Sequence, residues 1–232
     1  MTGRRTAISP MKIILASASP RRAEILSNAG IPFDVMTTQI DEFQRADETV
    51  EDMVLRLARA KLRAAMAQLG TKSKARQEIM QEIPQEKIIV IAADTAVELD
   101  GDAFGKPGSA LKARQMLERL SGKSHRVLTG IALARLPDGL SRYEVAATEV
   151  RFSALDAAEI ERYAATGEPL DKAGAYAAQG LGGRFIERIA GCYFNVVGLP
   201  LSRVYQILKE FGWAPERGGV TPASAAQAQR DH

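Results

Sequence analysis

"KIIVIAADTAVELDG", residues 87–101, decides the fold. It opens on an unbroken apolar run dominated by Ile and Val, the pattern of a strand covered on both faces. Asp100-Gly101 supplies the turn that ends it. Such a strand belongs in the interior of a sheet with further layers on either side. Asp94 breaks the pattern, because a carboxylate at the end of a buried run costs several kcal/mol unless a cation or hydrogen bonds compensate it. It reads either as a strand-end cap for a neighbouring loop or as a metal ligand or general base at the carboxyl edge of the sheet.

Upstream, "KIILA" (12–16) is a short buried strand, followed by a serine loop and a helix from about Pro20 to Ala29. Gly30 can cap that helix, and Pro32 prevents its resumption. "PFDVMTT" reads as a second strand leading to Asp41–Glu42. Val54, Leu57, Ala58, Leu62 and Ala65 have the spacing of a long helix from about Glu48 to Leu69. Residues 70–87 are polar, a loop or an exposed helical excursion. Downstream, Ser109–Leu120 is a helix, and two long strands flank Pro137-Asp138-Gly139 as a hairpin. Ser153, with Asp156 three residues on, opens another helix that ends near Gly167. A glycine-rich run and a final amphipathic helix, Leu201–Phe211, complete the body. βα units combined with an antiparallel hairpin predict an α/β or α+β protein built on one mixed sheet.

Composition narrows the chemistry. With 46% hydrophobic and 25% charged residues among 232, the chain is globular rather than disordered or fibrous. A net charge of +3 permits anionic substrates without the basic stripe of a nucleic-acid binder. One cysteine, Cys192, excludes an intrachain disulfide, and two histidines, His125 and His232, exclude a multi-histidine metal cage. His125 reads as structural or as a neighbour of the substrate. No apolar run reaches the roughly 18 residues of a membrane span. With no signal-peptide pattern either, the expected compartment is the cytoplasm, with no membrane partner. Residues 1–11 read as an extension with Met11 as an alternative start, and 213–232 as a disordered tail.

Several other positions run against local rules. In "SASPRRAEIL" (17–26), Ser19 is a good N-cap and Pro20 suits the first helical position. Arg21 and Arg22 nevertheless add two positive charges to an already electropositive helix start. A bound anion would complete that site, and without one the loss of either arginine should leave stability unchanged or slightly raised. Lys61 lies on or beside the apolar stripe of its helix, and spacing alone makes it a snorkelling lysine. Lys106 in "FGKPGS" reads alone as a surface-turn lysine, and Asp41–Glu42 as a solvated pair. "GEPLDKAGAYAAQG" (167–180) combines charges, glycines and Gln179 in a stretch too small for core packing, where glycine would let backbone approach a ligand. "GLGGRF" is no Walker loop. Together, Arg21, Arg22, Lys61 and Lys106 offer cations for anionic oxygens, and Glu42 and Asp94 offer carboxylates for a hard divalent ion. These are the parts of a polyphosphate site.

"LASASPRR", "AADT", "GKP", "LSGKSHRVLTG", "DKAGAYAAQG" and "GCYFNVVGLPL" resemble, in order and wording, the Maf family of nucleoside triphosphate pyrophosphatases over about residues 12–212. The likeness is to the branch that acts on dTTP and UTP, where Thr95 stands in place of a Gln. The resemblance implies a single domain with an elongated, curved mixed sheet flanked by helices. Two lobes would enclose a cleft, as in the inosine triphosphatase architecture. It implies hydrolysis of dTTP and UTP, with modified pyrimidine nucleotides as further substrates, to monophosphate and pyrophosphate with Mg²⁺ or Mn²⁺, a house-cleaning role. Asp94 is then the general base, and with Glu42 a metal ligand. Ser17, Arg21, Arg22, Lys61 and Lys106 bind substrate, and Arg21, Thr95 and Gln179 set specificity. A homodimer is compatible with it, a nucleic-acid partner is not expected, and the competing reading is a nucleotide-binding regulator of septum formation with little turnover.

Overall fold

Alternation along residues 88–99 sends successive side chains to opposite helical layers. The computed structural model describes residues 11–77 and 87–215, without the side chains of 71–77. The extension 1–10, residues 78–86 of the polar insertion and the tail from 216 lie outside the described residues. In chain order the elements are β1 (Lys12–Leu15), α1 (Pro20–Asn28), β2 (Asp34–Val35), α2 (Val50–Gln77), β3 (Ile88–Leu99) and β4 (Asp102–Phe104). Then come α3 (Ala110–Leu120), β5 (Ser124–Leu136), β6 (Ser141–Phe152), α4 (Ala157–Ala164), β7 (Ile186–Ala190), α5 (Tyr193–Val197) and α6 (Leu201–Glu210). Three 3-10 turns, Glu168–Asp171, Ala173–Ala175 and Leu181–Phe185, lie between α4 and β7.

The first half of β3 is covered on both faces, as the apolar run predicts. Ile89, Ile91 and Ala93 pack with Ile25 and Leu26 of α1 and with Val204, Ile207 and Leu208 of α6. Val90 and Ala92 pack instead with Ala58, Leu62 and Ala65 of α2. Beyond residue 96 the strand enters a different core, where Val97 and Leu99 join Leu117 and Leu120 of α3, Phe152 of β6 and Tyr163 of α4. One long strand therefore contributes to four core clusters, and Asp94 and Thr95 belong to none of them.

The sheet is mixed and seven-stranded, ordered β2-β1-β3-β5-β6-β7, with β4 also on β3. β1 runs parallel to β2 and β3, while β3, β5, β6 and β7 pair antiparallel. β5 occupies one edge of β3 from Ile88 to Glu98. On the other edge β1 pairs with Ile88–Ile91 and β4 with Val97–Leu99. Residues 92–96 between those two neighbours have no strand partner on that side, and this gap is where the molecule opens. Opposite Asp94 stands Gly130 of β5, where a Cβ would lie 2.3 Å from the Val54 carbonyl oxygen. Only glycine lets the α2 backbone lie so close to the strands, and it sets the depth at which Lys61, two turns further on, meets the sheet.

Some expectations change. α2 continues through residues 70–77 instead of ending at Leu69. α4 starts one turn later than the Ser153 reading: Asp156 is its N-cap, in a reciprocal capping box with Glu159. Ser153 N donates to the Phe185 carbonyl instead. The second strand shrinks to two residues, and β4, β7 and α5, pieces of three to five residues, carry too little periodicity to be read from the sequence. Trp213, 7% exposed, packs in the core beside Tyr205, and Met11 packs against the same cluster, so the packed body reaches just past 12–212. No helix among the described residues is long and apolar enough to cross a membrane.

Candidate active site

The cleft begins where β1 ends and the serine loop turns into α1. Ser19 has the extended backbone of an N-cap, yet it makes no side-chain cap bond, and the first turn of α1 holds no acid. Ser109 and Asp156 cap α3 and α4 by accepting from Lys112 N and Glu159 N, whereas α1, like α5 and α6, starts without such a bond. The start of α1 is thus left electropositive, as the two arginines require of an anion site.

Those arginines do different things. Arg22 is buried. Its Nε donates to the Gly198 carbonyl at 2.8 Å, Nη1 to Ser17 Oγ at 3.0 Å and Nη2 to Thr95 Oγ1 at 3.0 Å. Thr95 Oγ1 lies a further 3.0 Å from Thr129 Oγ1. Burial, aided by Arg21, draws the Arg22 guanidinium below its usual pKa, while Asp94 and Glu42 oppose that shift. The expectation that its loss would leave stability untouched fails here, because Arg22 ties α1 to β3 and to the turn after α5. Arg21 reaches across the cleft mouth, 3.4 Å from Asp171 Oδ2, in an exposed contact.

Strand alternation carries Asp94 to the α2 side and Thr95 to the α1 side, and both reach the cleft because that edge of β3 is bare. Lys61 Nζ lies 2.6 Å from Asp94 Oδ1 and 2.7 Å from Glu42 Oε1. Its side chain is only 11% exposed, so Lys61 turns inward and is not a snorkelling lysine. Burial would push Glu42 up. The hydrogen bond and charge of Lys61, with Lys106 and Arg22 nearby, outweigh that and hold its carboxyl below the usual range. Glu42 is half-exposed, its side chain 55% accessible, but it is paired with Lys61 rather than isolated in solvent. Two hard carboxylate oxygens share one ammonium, while among the described residues no group of three His, Cys, Asp or Glu could cage a metal.

The opposite wall comes from the turns after α4. Lys172 Nζ lies 2.6 Å from Asp171 Oδ1 and donates to the Glu168 carbonyl at 2.8 Å. Gln179 is exposed, and its Nε2 donates to Glu24 Oε2 of α1 at 3.2 Å. Tyr176 presents to the cleft and is backed by His125, whose Nε2 lies 2.9 Å from the Tyr176 hydroxyl. Burial lowers His125 to about 4, so it is neutral near pH 7. The cleft measures about 620 Å³, and all nine side chains singled out in the sequence line it. Asp171, Lys172, Tyr176, Phe43 and the Gly198 backbone line it too, unassigned in the sequence reading. The charged start of "DKAGAY" was the available signal for the first two. Gly180, Gly182 and Gly183 stay off the cleft wall and approach protein atoms instead.

Fold and cleft together define a mixed α/β protein whose bare strand edge is furnished for a polyanion beside a paired carboxylate. The chain belongs to the Maf family: residues 12–211 match the Maf-like protein family. A dTTP/UTP pyrophosphatase of Symbiobacterium thermophilum is 43% identical over 209 residues, covering 90% of this chain and 98% of the relative. The enzyme of the same name from Anaeromyxobacter dehalogenans is 45% identical, covering 87% and 95%. That of Clostridioides difficile is 42% identical over the same shares. Among solved structures, the Staphylococcus aureus Ham1 protein aligns over 86% of this chain and 99% of its own at 11% identity and a TM-score of 0.42. A likeness that weak adds nothing to the topology described above.

Proposed function

We propose that this protein hydrolyses nucleoside triphosphates, dTTP and UTP foremost, between the α and β phosphates, releasing the nucleoside monophosphate and pyrophosphate. The observation that carries the reading is Asp94, a nearly buried carboxylate held 2.6 Å from the Lys61 ammonium at the floor of a cleft rimmed by Arg21 and Lys106. The relatives' shared name, dTTP/UTP pyrophosphatase, supports the choice of reaction and substrate.

In this reading Arg21, Lys106 and the open first turn of α1 grip the phosphates. Arg22 and Ser17 hold the serine loop in shape. Asp94 accepts the proton of a water that attacks the α-phosphorus, and the bond to the bridging oxygen breaks with its electron pair leaving on pyrophosphate. Lys61 orients the Asp94 carboxylate and offsets charge that develops on the phosphoryl oxygens. Glu42 and Asp94 would hold a hard cation such as Mg²⁺ or Mn²⁺, since carboxylate oxygens are the donors such ions take. When bound, the cation neutralises phosphate charge. Gln179 offers an amide donor and acceptor to the N3–H and carbonyl edge shared by uracil and thymine. Discarding non-canonical pyrimidine nucleotides would follow from the same chemistry.

A nucleotide-binding regulator would need the cations of the cleft, but it has no use for a carboxylate locked to a lysine at its floor. The test is a screen of nucleoside triphosphates for pyrophosphate release, with and without a chelator. Stoichiometric pyrophosphate from dTTP and UTP, lost in excess chelator, is the expected result. Orthophosphate as first product, or full activity in chelator, overturns it.

A further inference from the structure

Glycine at 180 and 182 invites the thought of a ligand, and the structure contains one that is part of the chain. Leu181 N and Gly182 N donate to the two oxygens of Glu168, at 3.0 and 3.1 Å. The Tyr163 hydroxyl donates to Glu168 Oε1 at 2.8 Å and accepts from Ala177 N at 3.1 Å. A Cβ on Gly180 would lie 2.5 Å from Glu168 Oε2, and one on Gly182 would lie 2.6 Å from the Tyr163 hydroxyl. The glycines are therefore cut to fit a carboxylate and a phenol of the protein itself. Burial opposes the charge on Glu168, but the Leu181 N–H, the Tyr163 hydroxyl and the Gly182 N–H outweigh it and hold the carboxyl below its usual range. Burial and the same bond push the Tyr163 phenol up, so it stays a donor.

The consequence lies at residue 179. The arc 177–182 is pinned on one side through Ala177 N and on the other through Leu181 N and Gly182 N, all to the Tyr163–Glu168 pair. Gln179 stands between the pins, and its only side-chain bond among the described residues is the exposed one to Glu24. We propose that Glu168 is a positioning residue for base selection: by clasping residues 181 and 182 and, through Tyr163, residue 177, it holds Gln179 at the height where its amide meets the pyrimidine edge. This rests on the reading of Gln179 given above.

The experiment compares kcat and KM for dTTP and CTP in the full chain and in Glu168→Gln, Tyr163→Phe, Gln179→Ala and the double variant Glu168→Gln/Gln179→Ala. Glu168→Gln turns an NH₂ donor toward backbone N–H groups. Leaving such groups unpaired should cut the preference for dTTP over CTP by about 5-fold or more, through KM for dTTP, with kcat changed about 2-fold at most. A role in folding alone would lower kcat/KM equally for both nucleotides, and that outcome overturns the proposal. The double variant should have the preference of Gln179→Ala, so a further additive loss also overturns it. Should Glu168→Gln not fold, Tyr163→Phe keeps the carboxylate and its backbone donors. It removes the bond to the Glu168 carboxylate and the acceptor of Ala177 N, so it should move the preference the same way by about 2-fold or more, and equal losses for both nucleotides overturn the proposal there too. A preference unchanged in Gln179→Ala overturns the base-reading assignment and with it the route claimed for Glu168. A preference lost in Gln179→Ala but kept in Glu168→Gln overturns the role of Glu168 alone.

Discussion

One end of the cleft is built from regular elements and the other from turns. Asp94, Lys61 and Arg22 stand on β3, α2 and α1, are nearly buried and are held by short bonds to one another's neighbours. Arg21, Lys106 and Gln179 are partly or fully exposed, and the contacts of Arg21 and Gln179 across the cleft are 3.2 Å or longer. Burial fixes the first set before any substrate arrives, so orientation at the reacting phosphorus carries no ordering cost at the moment of reaction. Exposed ion pairs contribute about 0–1 kcal/mol and are easily exchanged for a ligand. The division suits an enzyme whose chemistry is fixed and whose grip on the nucleotide is made and broken each cycle.

The largest expected effect lies at the buried end. Asp94→Asn keeps the size of the side chain but removes the proton acceptor and one of two anionic oxygen donors. It should lower kcat by about 10²- to 10⁴-fold, the usual worth of a positioned general base. Circular dichroism should show the fold intact. A folded variant with near-normal kcat would make Asp94 a strand-end cap and erase the difference between the two ends.

Arg22→Ala is next. It strips donors from the Gly198 carbonyl, Ser17 Oγ and Thr95 Oγ1 inside the protein. Unsatisfied buried groups cost about 1–3 kcal/mol each with partial relaxation, so urea denaturation without nucleotide should show a loss of about 2–4 kcal/mol. A loss under about 0.5 kcal/mol would put Arg22 in the same class as Arg21.

How legible this was in the sequence depends on which physics each residue obeys. Asp94 could be found because it violates the apolar pattern of its own strand, a violation visible locally. Lys61 could not, since one helical turn looks the same whether its lysine turns out to water or in to a carboxylate 33 positions away. Arg21 and Arg22 look equivalent as neighbours in the chain. Only the approach of Gly198, 176 positions from Arg22, separates them. The central strand and the mixed sheet were readable from periodicity and turn residues, while β7, with its charged pattern, exists because β6 offers it an edge. Nothing local reveals that β1 and β4 leave a bare edge between them, which is what makes the cleft.

His125 tests how the turn-built wall is anchored. It packs edge-on against Phe152 and Tyr176, behind the cleft, and burial holds it at about 4 against the usual 6.5. Between pH 6.5 and about 4 the unfolded chain binds a proton there and the folded protein does not. Stability therefore falls as pH drops through that window and levels off below it, by at most about 3 kcal/mol. His125→Gln, with nothing to titrate, should flatten that part of the stability curve. An unchanged slope would mean that the imidazole is protonated in the fold and that the Tyr176 wall tolerates a buried charge.

The smallest effect on stability should belong to Arg21→Ala, and it separates the two ends most directly. Two small terms oppose each other. Losing the contact to Asp171, whose carboxylate is 66% exposed, costs at most a few tenths of a kcal/mol. Removing a cation from the first turn of α1 returns roughly 0.3–1 kcal/mol by relieving its clash with the helix dipole. The sum should lie within about 0.5 kcal/mol of zero, read as an unchanged denaturation midpoint without nucleotide. Catalysis should not be spared, because a charge-assisted hydrogen bond to phosphate is worth about 1.5–3 kcal/mol, or roughly 10- to 150-fold in kcat/KM. Added dTTP should accordingly raise the melting temperature of the variant less than that of the parent. If Arg21→Ala instead destabilises the free protein as much as Arg22→Ala and leaves kcat/KM alone, both arginines are ties within the fold, and the open start of α1 needs another occupant.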